Sequence, residues 1–469
     1  MEKILNPHRV IQLLLIAITW LGLKFNGYDY DASMLYVFIS LSANMALIWS
    51  KSGLISTKMI LSFLIYSIAL VPAIAYYLLG FKLYSYVNFD HQLTDSVTIQ
   101  MLWLFYLSSN IYTFVLLTMD SKFPDLSKPI SNETRLPFYF ICFLVIFFTL
   151  IGNSGPTILT ASYETIRDAR ISSIATLASI AFTVFWVDAY AKMRVYVVEK
   201  NTFRVKVFWA VTIFMMMFLL LKGRRTEAIG VISIILIHQK ILTGKTPYKY
   251  IIIALMLGFL LYIIGYMRVE AITDVDIAST VDKSLSLSFE SGSSKTEFAN
   301  MPSGLGNITA TMQTSVYHFD YMSQPLLGGS TIFTYPLKLL PSALVDGFGL
   351  ADTDNYFYHN MVLEKYFYNG GCYLYAPAYG NFGTIGLLVA SFLMSLLVNW
   401  TQKAMRSSDF IKIVIATTIV FSFIKICWYN FLPLPKAILY NLIVLFYVAL
   451  VFKKKESKEE SANLEIGLA

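Results

Sequence analysis

Long apolar runs broken by short polar stretches dominate this chain. They fall at 9–25, 34–50, 58–80, 97–118, 136–152, 172–191, 205–221, 226–242, 249–266, 382–399, 409–430 and 434–452. A bilayer core is crossed by roughly 20 apolar helical residues, with a lower limit near 17. In lipid each backbone amide must find its partner inside its own segment, so such runs predict helices. The pattern predicts an all-α, polytopic integral membrane protein with about twelve transmembrane helices (11–14, since several runs are near the lower limit). The first run lacks a small-residue cleavage site, so it is expected to begin the bundle rather than act as a removable signal.

The polar interruptions set the organisation. Residues 1–266 hold about nine spans on short connections, including an outer loop at 153–171. Residues 267–381 form one large outer loop, 382–452 the last three spans, and 453–469 a charged tail. A loop that long in a compact protein is usually functional. Its 280–306 part is rich in Ser and Gly. Over Asn307–Met322 a short amphipathic helix is expected. Asn307 would be its N-cap, with Ile308, Met312, Val316 and Phe319 at helical spacing and His318 pointing away from that stripe. A second helical piece is expected over 359–368. Neither an internal repeat nor a matching pair of Gly/Pro-broken spans is visible, which disfavours inverted-repeat transporters.

Composition agrees with the pattern. The 469 residues are 57% hydrophobic and 14% charged, with mean hydropathy +0.61; soluble domains do not have this make-up. With the N-terminus in the cytoplasm, 22 of the 36 Lys and Arg lie inside, so both termini are expected on the cytoplasmic side. The net charge of +7 is that bias and calls for no nucleic-acid partner. Cys142, Cys372 and Cys427 have neither disulfide nor metal-ligand spacing. P-loop, Rossmann, Gly-x-Ser-x-Gly and His-Glu-x-x-His motifs are missing, which removes support for ATP-driven transport and the common hydrolases.

Against this background the outer arginines stand out. Gly223-Arg224-Arg225 sits between two apolar runs on the outer face, where surplus cations do nothing for insertion. A guanidinium fork fits phosphate oxygens, so Arg224 and Arg225 are candidates to clamp a diphosphate as it leaves. The alternatives are headgroup snorkelling or a local pair with Glu227. Arg167 and Arg170 share a helical face in loop 153–171, and Arg268 follows the ninth run. Asp168 and Glu270 could be their simple ion-pair partners.

A hydroxyl attacking an activated sugar carbon needs a base. The long loop offers His318 and His359 as the first candidates and Asp320 and Glu364 as the alternatives, with Asp346, Asp352 and Asp354 between them. Spacing does not rank them. Segment 352–380 holds Tyr356, Tyr358, Tyr366, Tyr368, Tyr373, Tyr375 and Tyr379. Two accounts of this richness stand side by side: a sugar-stacking groove and an interfacial aromatic belt. Asp29-Tyr30-Asp31 has the acidic pattern of some membrane glycosyltransferases, but Asp274/Asp276 and Asp352/Asp354 repeat it.

Two stretches carry a family resemblance. Gly223-Arg224-Arg225-Thr226 leads into the apolar 228–236, and Ala376-Pro377-Ala378-Tyr379-Gly380-Asn381-Phe382-Gly383-Thr384-Ile385-Gly386 leads into the tenth span. With about twelve spans and one large outer loop, the chain resembles Wzy-type O-antigen (oligosaccharide repeat-unit) polymerases. Where relatives often carry a glutamate just ahead of Asn-Phe-Gly, this chain has Tyr379 and Gly380, so that position offers no carboxylate here.

The resemblance implies a bacterial inner-membrane enzyme with a periplasmic site. It would transfer a growing glycan from undecaprenyl diphosphate onto a lipid-linked repeat unit, without cofactor or metal and with a chain-length regulator protein as partner. Arg224 and Arg225 would then bind the departing diphosphate, Arg167, Arg170 and Arg268 the second lipid's phosphates, and Tyr356, Tyr358, Tyr366 and Tyr379 the sugars. An O-antigen ligase shares this layout. A lipid-linked oligosaccharide flippase shares the span count, but should line its interior with cations and needs no long loop.

Overall fold

The computed structural model describes residues 7–25, 29–79, 91–119, 202–203, 205–210, 212, 225–244, 248, 252, 256, 305–333, 361–362, 372–429, 434–435, 437–439 and 442–443. Among these the chain is helical, and no β-strand forms. The helices are α1 (Pro7–Phe25), α2 (Tyr30–Ser52), α3 (Thr57–Leu79), α4 (His91–Thr118), α5 (Arg225–Thr243), α6 (Leu305–Val316), α7 (Ser330–Phe333), α8 (Ala376–Ala404) and α9 (Phe410–Tyr429). Tyr30–Ser52, Asp95–Thr118 and Ala376–Ala404 are long and apolar enough to cross a membrane. Runs 9–25, 34–50, 58–80, 97–118, 226–242, 382–399 and 409–430 each coincide with a helix. Those at 136–152, 172–191, 205–221, 249–266 and 434–452 lie wholly or largely outside the described residues.

Two compact units are present. The first takes Met1–Lys122, Ile229–Lys403 and Val420–Pro433; the second takes Phe123–Ala228, Ala404–Ile419 and Leu434–Ala469. The first unit holds the described candidate site. Helix ends there are set locally. The Asp29 carboxylate caps α2 by accepting from Ala32 N at 2.7 Å, which accounts for that acidic residue without chemistry. Gly53, at φ 83°, ends α2 and returns its N–H to the Trp49 carbonyl at 2.8 Å. Ser56 Oγ caps α3 through Met59 N at 3.0 Å.

Buried polar side chains then fix the helix register. Asn110 of α4 accepts from Ser40 at 3.1 Å and from Asn44 at 2.7 Å, both on α2. Its amide donates to Thr19 of α1 at 3.0 Å. Ser62 and Tyr112 join α3 to α4 at 2.8 Å, and Ser395 of α8 donates to the Tyr112 carbonyl at 2.9 Å. Between lipid-embedded helices such bonds and small residues replace the hydrophobic drive. Gly22 is one of these small residues: a Cβ there would sit 2.4 Å from the Trp103 ring.

These pairings make α1 and α3 antiparallel to α4, and α2 and α8 parallel to it. Hence the starts of α2, α4 and α8 share one end of the bundle. Asp29, Asp31 and Asp95 are at that end. At the other, the buried Lys58 donates to the Leu116 carbonyl at 3.3 Å, and its backbone N–H bonds Gln402 at 3.2 Å. Lys51 and Lys403 add their charge beside it.

The long loop departs from expectation. Its helix α6 begins at Leu305, so Asn307 is inside it and is not the N-cap. Nor is its described part amphipathic: Thr311, Met312, Gln313, Thr314, Ser315 and Val316 are all buried, because α6 packs between α3 and α4. Two of its polar side chains bond to neighbouring elements. Gln313 donates to Thr98 at 2.6 Å, and Thr311 accepts from Tyr373 N at 2.9 Å. The segment 359–368 is described only at 361–362.

Candidate functional site

Three pieces of chain meet at the carboxylate-bearing end: the start of α4, the turn after α6, and the start of α8. After Val316 the chain widens into a π-helical turn, Tyr317–Tyr321. Such a turn puts one extra residue into the helical cycle and is often found at functional sites. The shifted register buries His318 and Phe319 together, leaving His318 only 6% exposed and in edge contact with the Phe319 ring. His318 therefore does not point away from the apolar face as expected. Asp320, the next residue along the turn, reaches the surface.

Two donors hold the Asp320 carboxylate, and both go to Oδ2. The Tyr379 hydroxyl donates at 2.5 Å, and the Gln100 amide makes a short bond to the same oxygen. Among the described residues no donor reaches the other oxygen, Oδ1. Partial burial raises the Asp320 pKa above the ordinary carboxylate value, and the bonds from Tyr379 and Gln100 oppose that rise. Beside it the Tyr321 phenol is also pushed up, by burial first; its Ser96 hydrogen bond opposes this and the Asp320 charge reinforces it.

Tyr379 is placed by a break in α8. Phe382 and Gly383 leave helical geometry, Gly383 at φ 59°, a region open to glycine. Gly386 lets the two halves touch, since a Cβ there would lie 2.1 Å from the Ala378 carbonyl oxygen. The carbonyls of Gly380 and Asn381 accept from Leu327 N at 3.0 Å and Gly328 N at 3.1 Å. The Asn381 amide donates to Thr331 at 2.6 Å and to the Pro377 carbonyl at 2.7 Å. The Asn-Phe-Gly-x-x-Gly stretch is thus a kink that clasps the loop following Asp320, and α8 begins ahead of the run at 382 that sequence marked.

Of the residues singled out from sequence, Asp320 and Tyr379 are bonded to each other, and His318 is buried two positions away. Arg225 opens α5, as a turn leading into a span predicts, so its backbone lies at a positive helix terminus. Arg224, Arg167, Arg170, Arg268, His359, Glu364, Tyr356, Tyr358 and Tyr366 lie outside the described residues. Tyr373 and Tyr375 are corrections to the sugar-groove account. Both are fully buried, with Tyr373 edge-on to Phe105 at 4.9 Å and Tyr375 at 5.4 Å from Tyr373. The α8 start is a core element, and its rings fill the bundle. Cys372 and Cys427 are buried, free thiols.

Sequence reasoning missed Gln100, Asn381 and Thr331. Asn381 stood inside a noted motif; Gln100 carried no signal beyond being an amide at the edge of an apolar run. Among the described residues no three His, Cys, Asp or Glu side chains converge in a metal-binding cluster. Comparison with known proteins adds no name: no family model, no curated protein and no solved structure matches this chain.

Proposed function

We propose that this chain is a membrane glycosyltransferase that polymerises lipid-linked saccharide repeat units, with Asp320 as the base that activates the acceptor hydroxyl. The observation that carries the reading is the asymmetry of the Asp320 carboxylate. Two donors orient Oδ2, while among the described residues none donates to Oδ1. A carboxylate held this way, with its basicity lifted by burial, suits proton abstraction.

In this reading the acceptor sugar hydroxyl attacks the anomeric carbon of the donor glycan. The bond from that carbon to the lipid diphosphate breaks, and the electron pair leaves with the diphosphate. The hydroxyl proton passes to Asp320 Oδ1. Arg224 and Arg225 are the residues that the resemblance assigns to the departing diphosphate, whose charge a guanidinium pair suits. The membrane is the bacterial inner membrane and the site is periplasmic. The position of Lys51, Lys58 and Lys403 at the opposite end of the bundle supports that orientation.

A ligase would share this geometry and differ in its acceptor. A flippase would need cations along the bundle interior. The buried polar groups midway along the described bundle are neutral serines, threonines, asparagines and tyrosines, which favours the enzyme.

The purified chain, given one synthetic undecaprenyl-diphosphate repeat unit of the native glycan and no nucleotide sugar, should build a ladder on a gel. The ladder should vanish in Asp320→Asn and in Arg225→Ala. Transfer only to a lipid A-core acceptor would mean ligase. No ladder, with the lipid crossing liposome leaflets, would mean flippase.

A further inference from the structure

The end of the first unit opposite Asp320 gathers cations from three helices. Lys51 stands in the last turn of α2, Lys58 in the first turn of α3 and Lys403 in the last turn of α8. The charges of Lys403 and Lys51 both bear on Lys58. Two of the three suit their own helices, because a helix C-terminus carries partial negative charge. Lys58 does not. It is buried at the positive end of α3 and faces two like charges. Packing fixes it there, with its ammonium on the Leu116 carbonyl at 3.3 Å and its backbone N–H on Gln402 at 3.2 Å. Orienting a chain in the bilayer calls only for lysines in the loops of one side. It does not call for one to be folded in beneath two others.

Two tryptophans mark the level of this cluster. Trp49, two residues before Lys51, is 54% exposed, and Trp400, three residues before Lys403, is 37% exposed. Indole rings collect at the headgroup level of a bilayer, where the ring is in apolar surroundings and its N–H meets water. Helices α2 and α8 are both long and apolar enough to cross a membrane, and both end within a turn of these residues. Lys51, exposed, and Lys403, half-buried, therefore stand where acyl chains give way to phosphates.

We propose that Lys51 and Lys403, with the charge of Lys58 behind them, bind the phosphate headgroup of an anionic phospholipid. Basic pockets between spanning helices recognise such headgroups by charge. The two rim ammoniums donate to the phosphate oxygens, and the negative charge offsets the repulsion among the three lysines. The tryptophans point to a lipid rather than a soluble anion, since they put the cluster at the depth of the bilayer's own phosphates. The site is at the opposite end of the unit from Asp320 and is independent of the glycosyltransferase reading.

The test is native mass spectrometry of the full chain released from detergent micelles that carry phosphatidylglycerol or phosphatidylcholine. Phosphatidylglycerol should stay on the protein under conditions that strip phosphatidylcholine. Lys51→Gln with Lys403→Gln should weaken that retention roughly thirtyfold, and the exposed Lys51→Gln alone, which serves if the double variant does not fold, about fivefold. Lys412→Gln should leave it unchanged, because Asp409 already answers that charge at 3.2 Å. Inorganic phosphate should not displace the lipid. Equal retention of the two lipids, or phosphatidylglycerol held as tightly without Lys51, would mean that the lysines serve only helix ends and orientation, and the proposal falls. Displacement by inorganic phosphate would overturn the lipid assignment in favour of a soluble anion.

Discussion

The two ends of the first unit are built on opposite principles. At the end carrying Lys51, Lys58 and Lys403, polar groups close on their neighbours. Lys58 bonds the Leu116 carbonyl and Gln402, and Gly53 and Ser56 finish their helices. At the other end, Asp320 has an oxygen with no partner among the described residues, Ser323 is strained, and six successive loop residues face outward. The difference teaches where to look for chemistry: at the end where an oriented carboxylate and a strained loop lie at the surface.

The sharpest way to break this comparison is Asp320→Asn. It keeps the shape and removes the proposed base, so polymer formation should fall about 10²–10⁴-fold with the melting temperature nearly unchanged. An active Asp320→Asn would put the chemistry elsewhere.

Tyr379→Phe sharpens the comparison. Losing one charge-assisted hydrogen bond should lower the rate about tenfold. The sign of the pH effect is set by which form that bond favours. Tyr379 stabilises the ionised carboxylate, so removing it lets burial raise the Asp320 pKa further. Activity needs the ionised form, so the acid limb of the pH–rate profile should move to higher pH in the variant. In the wild type that limb should already lie above the ordinary aspartate range. A limb unmoved by Tyr379→Phe would remove Asp320 as its source.

At the opposite end the effect should be on stability alone. Gln402→Leu strands the buried Lys58 N–H and should cost about 1–3 kcal/mol in thermal or denaturant unfolding. Turnover per folded molecule should hold. The smallest effect is expected for Ser323→Gly, which relieves the left-handed strain and should gain about 1 kcal/mol.

Much of the helical framework was readable along the chain. Each described helix over a long apolar run coincides with the expected segment, since continuous apolarity at spanning length leaves the backbone few alternatives. The loop was less readable. Helix α6 was placed within a few residues, but its burial was not, because Thr311, Gln313, Thr314 and Ser315 read as a polar face. All four are buried against α3 and α4, where Gln313 meets Thr98 and Thr311 meets the Tyr373 amide, and nothing local announces such partners. The same holds for Tyr373 and Tyr375, whose density suggested a sugar groove and whose place is the core. Of the candidate bases, His318 and Asp320 were indistinguishable by spacing; the π-helical turn buried one and exposed the other.

The sequence by itself determined an all-helical, apolar chain with helices long enough to cross a membrane, because burying backbone in lipid is a property of each segment alone. It also marked Asp320 and Tyr379 as members of two separate candidate groups. Only the tertiary structure decided that they belong together with Gln100. The partners lie 59 and 220 residues from Asp320, and a hydrogen bond is set by distance in space rather than along the chain. The Tyr379 hydroxyl meets a carboxylate brought in from the preceding loop, a contact visible only once the chain before the kink at Phe382–Gly383 packs on that loop.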